Sequence, residues 1–402
     1  MTRGCRRGAP SGRPLWSVGL LLSLHVSAGS AVASQDATGE GPAFVTHTIS
    51  AELMNGYQPV IVDMNRDGRP DVIGLSTRLD ELAWFENPGW ERHVIATGLN
   101  RAINLAAEDL DDDGIPELVV AHEFGTTHEN SLGILTLLTH RGDPTHVWEA
   151  REIDRTPTVH RVRWADMDGT GQRVLVTAPL TGPAATAPEY RDSVSLYWYQ
   201  PDDWSRHLIS GFDEGVVHGL LVKPWMDPDR DAVFTASFVG VHVHQFIDGE
   251  WIRGRLTGGD SSAWPQSGSS EVEIGRLGAG RFIATIEPWH GDSVVVYRQE
   301  SESWTRQVID TIDSGHTIVT GDFDGDGRDE IVTGDRRDSR SLYLYRATDP
   351  VGGDWSRHVL DDGDMSPSGC AVADLNGDTR IDLVCIGGST ANLKWYENTR
   401  NN

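Results

Sequence analysis

Short apolar runs rich in β-branched residues recur along the chain, separated by acidic, glycine-bearing turns. Pro59–Val62 and Val72–Leu75 flank one such turn, Asp63-Met-Asn-Arg-Asp-Gly-Arg-Pro-Asp71, and the combination predicts a β-hairpin. Related turns start at Asp109, Asp322 and Asp374, with weaker copies at Asp166-Met-Asp168, Asp227-Pro-Asp229 and the acid-free Arg276-Leu-Gly-Ala-Gly-Arg281. A third run follows each hairpin and is rich in Tyr and Trp, as in Leu82-Ala-Trp-Phe85, Leu196-Tyr-Trp-Tyr199 and Leu342-Tyr-Leu-Tyr345. A fourth begins with Trp, as in Trp90-Glu-Arg-His-Val-Ile95, Trp204-Ser-Arg-His-Leu-Ile209 and Trp355-Ser-Arg-His-Val-Leu360. Four strands at a period of about 50 residues, counted seven times, predict an all-β fold, a seven-bladed β-propeller of four-stranded blades.

The two ends complement each other. The last unit stops at its third strand, Leu393-Lys-Trp-Tyr396, and Phe44-Val-Thr-His-Thr-Ile49 fits the pattern of the missing fourth. Pairing the N-terminal strand with the last blade would close the ring and remove two exposed edges. The propeller is expected over residues 43–398, with a short tail at 399–402. Residues 1–33 read as a signal peptide, with Arg3, Arg6, Arg7 and Arg13 before a mostly apolar stretch from Leu15 to Val26 and Ala31-Val32-Ala33 for cleavage. Residues 34–42 then form a linker. A membrane span needs about 20 apolar residues, and no segment reaches that length. A secreted or periplasmic protein is expected.

Charge narrows the partners. Sixty Asp and Glu against 34 Lys and Arg give a formal net charge of −26. Nucleic acid is excluded as a default partner, because phosphate contacts need a basic face. In an oxidising compartment Cys370 and Cys385, which flank the last turn, sit opposite each other in the expected hairpin. They form either a cross-strand disulfide or a pair of small buried residues.

The acidic turns are candidate calcium loops. In Asp-x-Asp/Asn-x-Asp-Gly-x-x-Asp/Glu, alternate residues turn oxygens inward, and hard oxygen-only donors suit Ca²⁺. The expected ligands are Asp63, Asn65, Asp67 and Asp71; Asp109, Asp111, Asp113 and Glu117; Asp322, Asp324, Asp326 and Glu330; and Asp374, Asn376, Asp378 and Asp382. On these motifs the chain resembles the FG-GAP or VCBS repeat family, which implies a propeller with calcium in its hairpin loops. The Asp166 turn has Thr170 and Val174 where ligands would be needed.

A second pattern appears six residues before the first Asp of each turn. That position holds Tyr57, Ile103, His160, His218, Ser270, His316 and Ser368 in turn. It begins the innermost strand, at the end away from the acidic loop, so the seven positions ring one mouth of the central funnel. The hairpin register that pairs Cys370 with Cys385 sets His316 opposite Asp335, Ile103 opposite His122 and Ser270 opposite Glu287. His160, His218 and His316 are candidate zinc ligands, since several His with a carboxylate make the donor set of a catalytic Zn²⁺. Candidate catalytic residues are His316, Asp335, His122, His290, Arg161 and Glu287. In a metal-free alternative, Asp335 orients His316 as a base and Arg161 neutralises a substrate carboxylate. His93, His207 and His358 recur in the outer-strand motif and are expected to be structural.

Either arrangement suits β-elimination, in which a proton next to a carbonyl is lost and a leaving group departs. Trp289, Trp264 and Tyr57 could stack on a sugar ring. The stretches Val159-His-Arg-Val-Arg-Trp-Ala-Asp166, Ile286-Glu-Pro-Trp-His-Gly-Asp292 and Gly315-His316 resemble the propeller domain of aldos-2-ulose dehydratases and related secreted sugar lyases. A rhamnose–glucuronate lyase is an equally suitable relative. The resemblance implies a zinc-dependent elimination on a keto-sugar or uronate. It extends to the propeller and not to a cupin or lectin-like domain, so it does not carry over any later isomerisation step. The competing expectation is a non-catalytic calcium propeller that binds glycans or protein.

Overall fold

The computed structural model describes residues 42–301 and 303–400. The expected signal peptide and nearly all of the linker lie outside the described residues. Twenty-eight strands form seven four-stranded antiparallel sheets, each a blade, and the only helical element among the described residues is the turn His128–Asn130. Inner strands are Gly56–Val62, Asn104–Glu108, Val159–Ala165, Val217–Pro224, Glu271–Leu277, Val319–Gly321 and Pro367–Ala373. We number the blades 1 to 7 in that order. Each inner strand packs against the next, and Pro367–Ala373 packs against Gly56–Val62, so the ring is closed.

Closure takes the expected form. Phe44–Ser50 pairs antiparallel with Leu393–Asn398, setting Phe44 opposite Asn398 and His47 opposite Trp395, so blade 7 is built from both ends of the chain. Asn398 adds to the seam by donating to the carbonyl of Phe323 in blade 6 at 2.8 Å.

The strand pattern follows from what each strand faces. Second strands lie between neighbouring blades; Asp71–Ser76, Glu117–His122, Val174–Pro179 and Asp382–Gly387 are buried at every position. A strand covered on both faces reads as a continuous apolar run. Fourth strands such as Glu149–Arg155 face solvent and carry polar residues. Between blades lie side chains such as Trp84, Tyr199, Phe234 and Tyr396, essentially without exposure. Fully burying a large apolar side chain stabilises by about 1.5–3 kcal/mol. The recurring outer-strand histidines are structural as expected, with His93 stacked on Trp84 and His207 on Trp198. Cys370 pairs with Cys385 in register and the two form a disulfide.

The acidic turns share one geometry. In five of them the first Asp accepts from the backbone N–H five residues on, from Gly68, Gly114, Gly171, Gly327 and Thr379. That residue is left-handed each time, at φ +83°, +89°, +83°, +84° and +71°. Glycine adopts this conformation freely, whereas Thr379 does so as a strained β-branched residue.

Candidate functional site

The funnel site is built by a defect repeated in the inner strands. The pairing register slips between Gly56 and Gln58, Val159 and Arg161, Val217 and Gly219, and Pro367 and Gly369. Each slip is a β-bulge whose extra residue is the ring position: Tyr57, His160, His218 or Ser368. A bulge releases its residue from the ladder and re-aims it. Here it gathers the ring positions at one mouth.

Three histidines meet there. Ring nitrogens of His218, His290 and His316 lie within 4.8 Å of one another. His218 Nδ1 is 2.7 Å from Glu271 Oε1, and His316 Nδ1 is 2.6 Å from the carbonyl oxygen of Ser368. These acceptors hold the protons on Nδ1 and leave both Nε2 atoms as lone-pair donors, the outer-shell pattern of metal-ligating histidines. His218 Nε2 and His290 Nε2 approach to 3.1 Å. The donor set fits a divalent ion that accepts nitrogen ligands, held by His218, His290 and His316.

His160 stands beside this trio, its ring 4.7 Å from that of His218. Its Nε2 accepts from the Tyr57 hydroxyl at 2.8 Å and faces Arg161 Nη1 at 3.1 Å. The lone pair expected to hold zinc is therefore engaged, and His290 takes that place in the trio. Arg161 also donates to Tyr57 Oη at 3.1 Å and pairs with Glu271 at 2.8 Å. It is not free to meet a substrate carboxylate.

Electrostatics keep the imidazoles neutral. Burial pushes His160, His290 and His316 well below the usual histidine range, and the charges of Arg161 or Arg336 add to it. Burial also lowers His218, with Glu271 opposing. For Glu271 burial favours the neutral acid, but Arg161 and His218 outweigh it and the pKa falls. Neutral imidazoles beside an ionised carboxylate are what ligands and proton acceptors require. Gly219 permits this packing: a Cβ there would stand 3.0 Å from the carbonyl oxygen of Ser270 and 3.1 Å from the Cα of Glu271.

Three expected partners are not brought to the histidines. Glu287 is fully buried within blade 5, where it accepts from Ser269, Thr285, Tyr297 and Arg306. Asp335 accepts from Asp313 N, Ser339 and Tyr343, so the Ser368 carbonyl and not Asp335 orients His316. His122 bonds Thr136 on the third strand of its own blade. In these three blades the inner pairing runs without a slip; the ring residues Ile103, Ser270 and His316 precede the paired strands, which begin at Asn104, Glu271 and Val319, and the second-strand residues find partners within their own blades. Glu271 was missed, although the positions one residue past the ring hold Gln58, Asn104, Arg161 and Glu271. So many polar residues on innermost strands are a signal in themselves.

The acidic loops divide by their ninth residue. Asp71 accepts from Met64 N and Asn87 N, one on each oxygen, and Asp382 likewise from Leu375 N and Asn398 N. Glu117 and Glu330 are one methylene longer and bond the backbone through Oε2. Both also belong to acidic groups, Asp109, Asp111, Glu117 and Asp322, Asp324, Glu330, in which one ligand atom from each residue lies within 4.8 Å of the others. In blade 6, Asp322 Oδ1 and Asp324 Oδ2 are buried without a hydrogen bond, although Arg346 Nε lies 2.8 Å from Asp324. The loops of blades 2 and 6 thus present the fuller oxygen sets for a cation.

Residues 63–120 and 322–385 match the FG-GAP-like repeat, and residues 133–300 match the aldos-2-ulose dehydratase β-propeller domain. An aldos-2-ulose dehydratase from Phanerodontia chrysosporium is 26% identical over 258 residues, covering 56% of this chain and 28% of that protein. The match spans little more than a quarter of that relative's length. A virginiamycin B lyase from Staphylococcus aureus has a similar structure, with TM-score 0.56, 9% identity, and coverage of 88% of this chain and 98% of that one. At that identity it speaks for the fold alone. His160, His218, Glu271 and His290 lie inside the 133–300 match, and Tyr57 and His316 outside it. The chain is therefore a seven-bladed β-propeller whose middle blades are similar to the aldos-2-ulose dehydratase propeller domain and whose flanking segments are similar to FG-GAP-like repeats.

Proposed function

We propose that this protein is an exported carbon–oxygen lyase that performs β-elimination on a keto-sugar or uronate in the propeller funnel. The observation that carries the reading is the trio His218, His290 and His316, facing a Tyr57–His160–Arg161 relay in which His160 and Arg161 are buried and Tyr57 is half-buried. A buried Arg161–Glu271 pair beside four neutral histidines is expensive to build, and such perturbed clusters concentrate at functional sites. Similarity to an aldos-2-ulose dehydratase supports sugar dehydration as the class of reaction.

A Zn²⁺ ion bound by the trio would supply Lewis-acid polarisation of a substrate carbonyl oxygen. The chain's residues supply the rest. The Tyr57–His160 pair, whose lone pairs and protons already form a chain, accepts the proton adjacent to the carbonyl. The C–H electron pair becomes the new C=C bond, the β C–O bond breaks, and the departing oxygen takes a proton from the same relay. Arg161 orients Tyr57 and stays paired with Glu271. Calcium in the acidic loops staples the hairpins on the other face, blades 2 and 6 offering the fuller sites. The Cys370–Cys385 disulfide supports an oxidising compartment.

Purified protein is to be assayed for metal content and screened on keto-sugars and uronate oligosaccharides for new ultraviolet absorbance of unsaturated products. Near-stoichiometric zinc and a product lost at least 100-fold in His316→Ala are expected, with the fold intact by circular dichroism. Undiminished turnover in a folded His316→Ala protein overturns the reading and leaves a binding propeller.

A further inference from the structure

The funnel mouth opens into a cavity of about 580 Å³ whose wall includes Tyr57, Ile103, Phe124 and Ser368. Tyr57 and Ser368 tie it to the histidine floor, through His160 and His316 respectively. Three arginines also line it: Arg101, Arg336 and Arg337. Arg101 is committed, paired with Glu123 and donating to the carbonyls of Phe124 and Asn130. Arg336 and Arg337 are different. Among the described residues neither has a carboxylate within 4.0 Å, and neither guanidinium has a hydrogen-bond acceptor.

In a chain with 60 acidic and 34 basic residues, two adjacent uncompensated arginines at a cavity wall are unusual. The carboxylates of Asp335 and Asp313 are engaged elsewhere. Asp335 is held by Ser339, Tyr343 and Asp313 N, and the Asp313 carboxylate accepts from Asp338 N; Asp313 meets Arg336 through its backbone carbonyl, and its carboxylate acts on the Arg336 guanidinium only through its charge. Arg336 is half-buried and close enough to the trio to bear on His218, His290 and His316. Burial, with Arg337 beside it, holds its pKa below the usual guanidinium value, and a bound anion would relieve both effects.

We propose that Arg336, supported by Arg337 at the rim, recognises a carboxylate on the substrate, and that the sugar taken by this funnel is therefore a uronate. A planar guanidinium matches a carboxylate through two parallel hydrogen bonds. In a uronate that carboxylate is also the carbonyl group that acidifies the neighbouring proton, so its place beside the histidine trio suits the chemistry. The proposal rests on the elimination reading only for where the sugar sits, and binding tests it separately.

The probes are methyl β-D-glucuronide, methyl β-D-glucoside and the glucoside 6-sulfate, titrated calorimetrically into metal-loaded full-length protein. The glucuronide is expected to bind at least 10-fold more tightly than the glucoside. Arg336→Gln is expected to abolish that difference without altering glucoside binding, and Arg336→Lys to retain part of it. Equal binding of glucuronide and glucoside, a preference for the sulfate, or a folded Arg336→Gln protein that keeps the preference overturns the proposal. Arg336-dependent glucuronide binding without elimination of 4-substituted glucuronides leaves it standing and removes the lyase reading. Turnover of a neutral keto-sugar unaffected by Arg336→Gln does the reverse.

Discussion

At the residue scale, Glu271 has the widest reach. One carboxylate oxygen meets both His218 Nδ1 and Arg161 Nη2, linking the metal-ready trio to the Tyr57–His160 relay. It faces the funnel because Gly219 lets the inner strands of blades 4 and 5 approach closely. Loss of an outer-shell carboxylate commonly lowers metal affinity 10–100-fold. Glu271→Gln is expected to weaken zinc binding by about that factor, measured by competition with a chromogenic chelator, and also to lower the unfolding temperature of the metal-free protein, because Arg161 then keeps a buried charge without its carboxylate. An unchanged affinity would separate Glu271 from the ion and leave it as the partner of Arg161. Much of this was legible in the sequence, since Tyr57, His160, His218 and His316 share one ring position. Glu271 was legible in principle as a carboxylate on an innermost strand. Arg336 was not, because its role depends on the absence of a partner, and sequence does not record which carboxylates have turned elsewhere.

At the scale of elements, the inner-strand bulge decides what the funnel contains. The bulges of blades 1, 3, 4 and 7 give Tyr57, His160, His218 and Ser368 to the funnel. In blades 5 and 6 the ring residues Ser270 and His316 precede the paired strands, and Glu287 and Asp335 bond within their blades. No local sequence signal distinguishes the two, since a bulge costs one residue of pairing and leaves the hydrophobic pattern intact. Blade 7 has an additional constraint, the disulfide across its inner hairpin. A closed loop of about 15 residues removes roughly 3 kcal/mol worth of freedom from the unfolded chain. The Cys370→Ser, Cys385→Ser double variant is expected to lose about that much stability in urea unfolding, with elimination activity retained in the folded protein. Loss of activity without loss of stability would mean that the bridge acts on the funnel directly.

At the scale of the whole molecule, the two faces are chemically separate. One carries acidic hairpin loops, and the other carries neutral histidines with arginines at the mouth. Each loop joins the first and second strands of a blade, so a cation there ties down the strands that carry the funnel residues at their far ends. Calcium chelation is expected to lower the unfolding temperature. Glu117→Gln and Glu330→Gln should remove most of that calcium-dependent shift, and Asp71→Asn and Asp382→Asn should lower stability whether or not calcium is present. Equal calcium dependence in all four variants would show that the ninth residue does not divide the loops.

The sequence by itself determined the architecture. A four-strand unit repeated seven times admits one closed arrangement, and the complementary ends, Phe44–Ser50 and Leu393–Asn398, specify where it closes. It also determined which residues reach the funnel mouth from the inner strands, because strand position follows from the repeat. Tertiary structure alone decided which of them act together. His290 enters the trio from a loop, the Ser368 carbonyl comes from the neighbouring blade, and Arg336 stays unpaired because Asp335 and Asp313 are engaged elsewhere. Periodicity encodes the direction of a strand, whereas partnership depends on bulges and on contacts between blades that are adjacent only once the ring is closed.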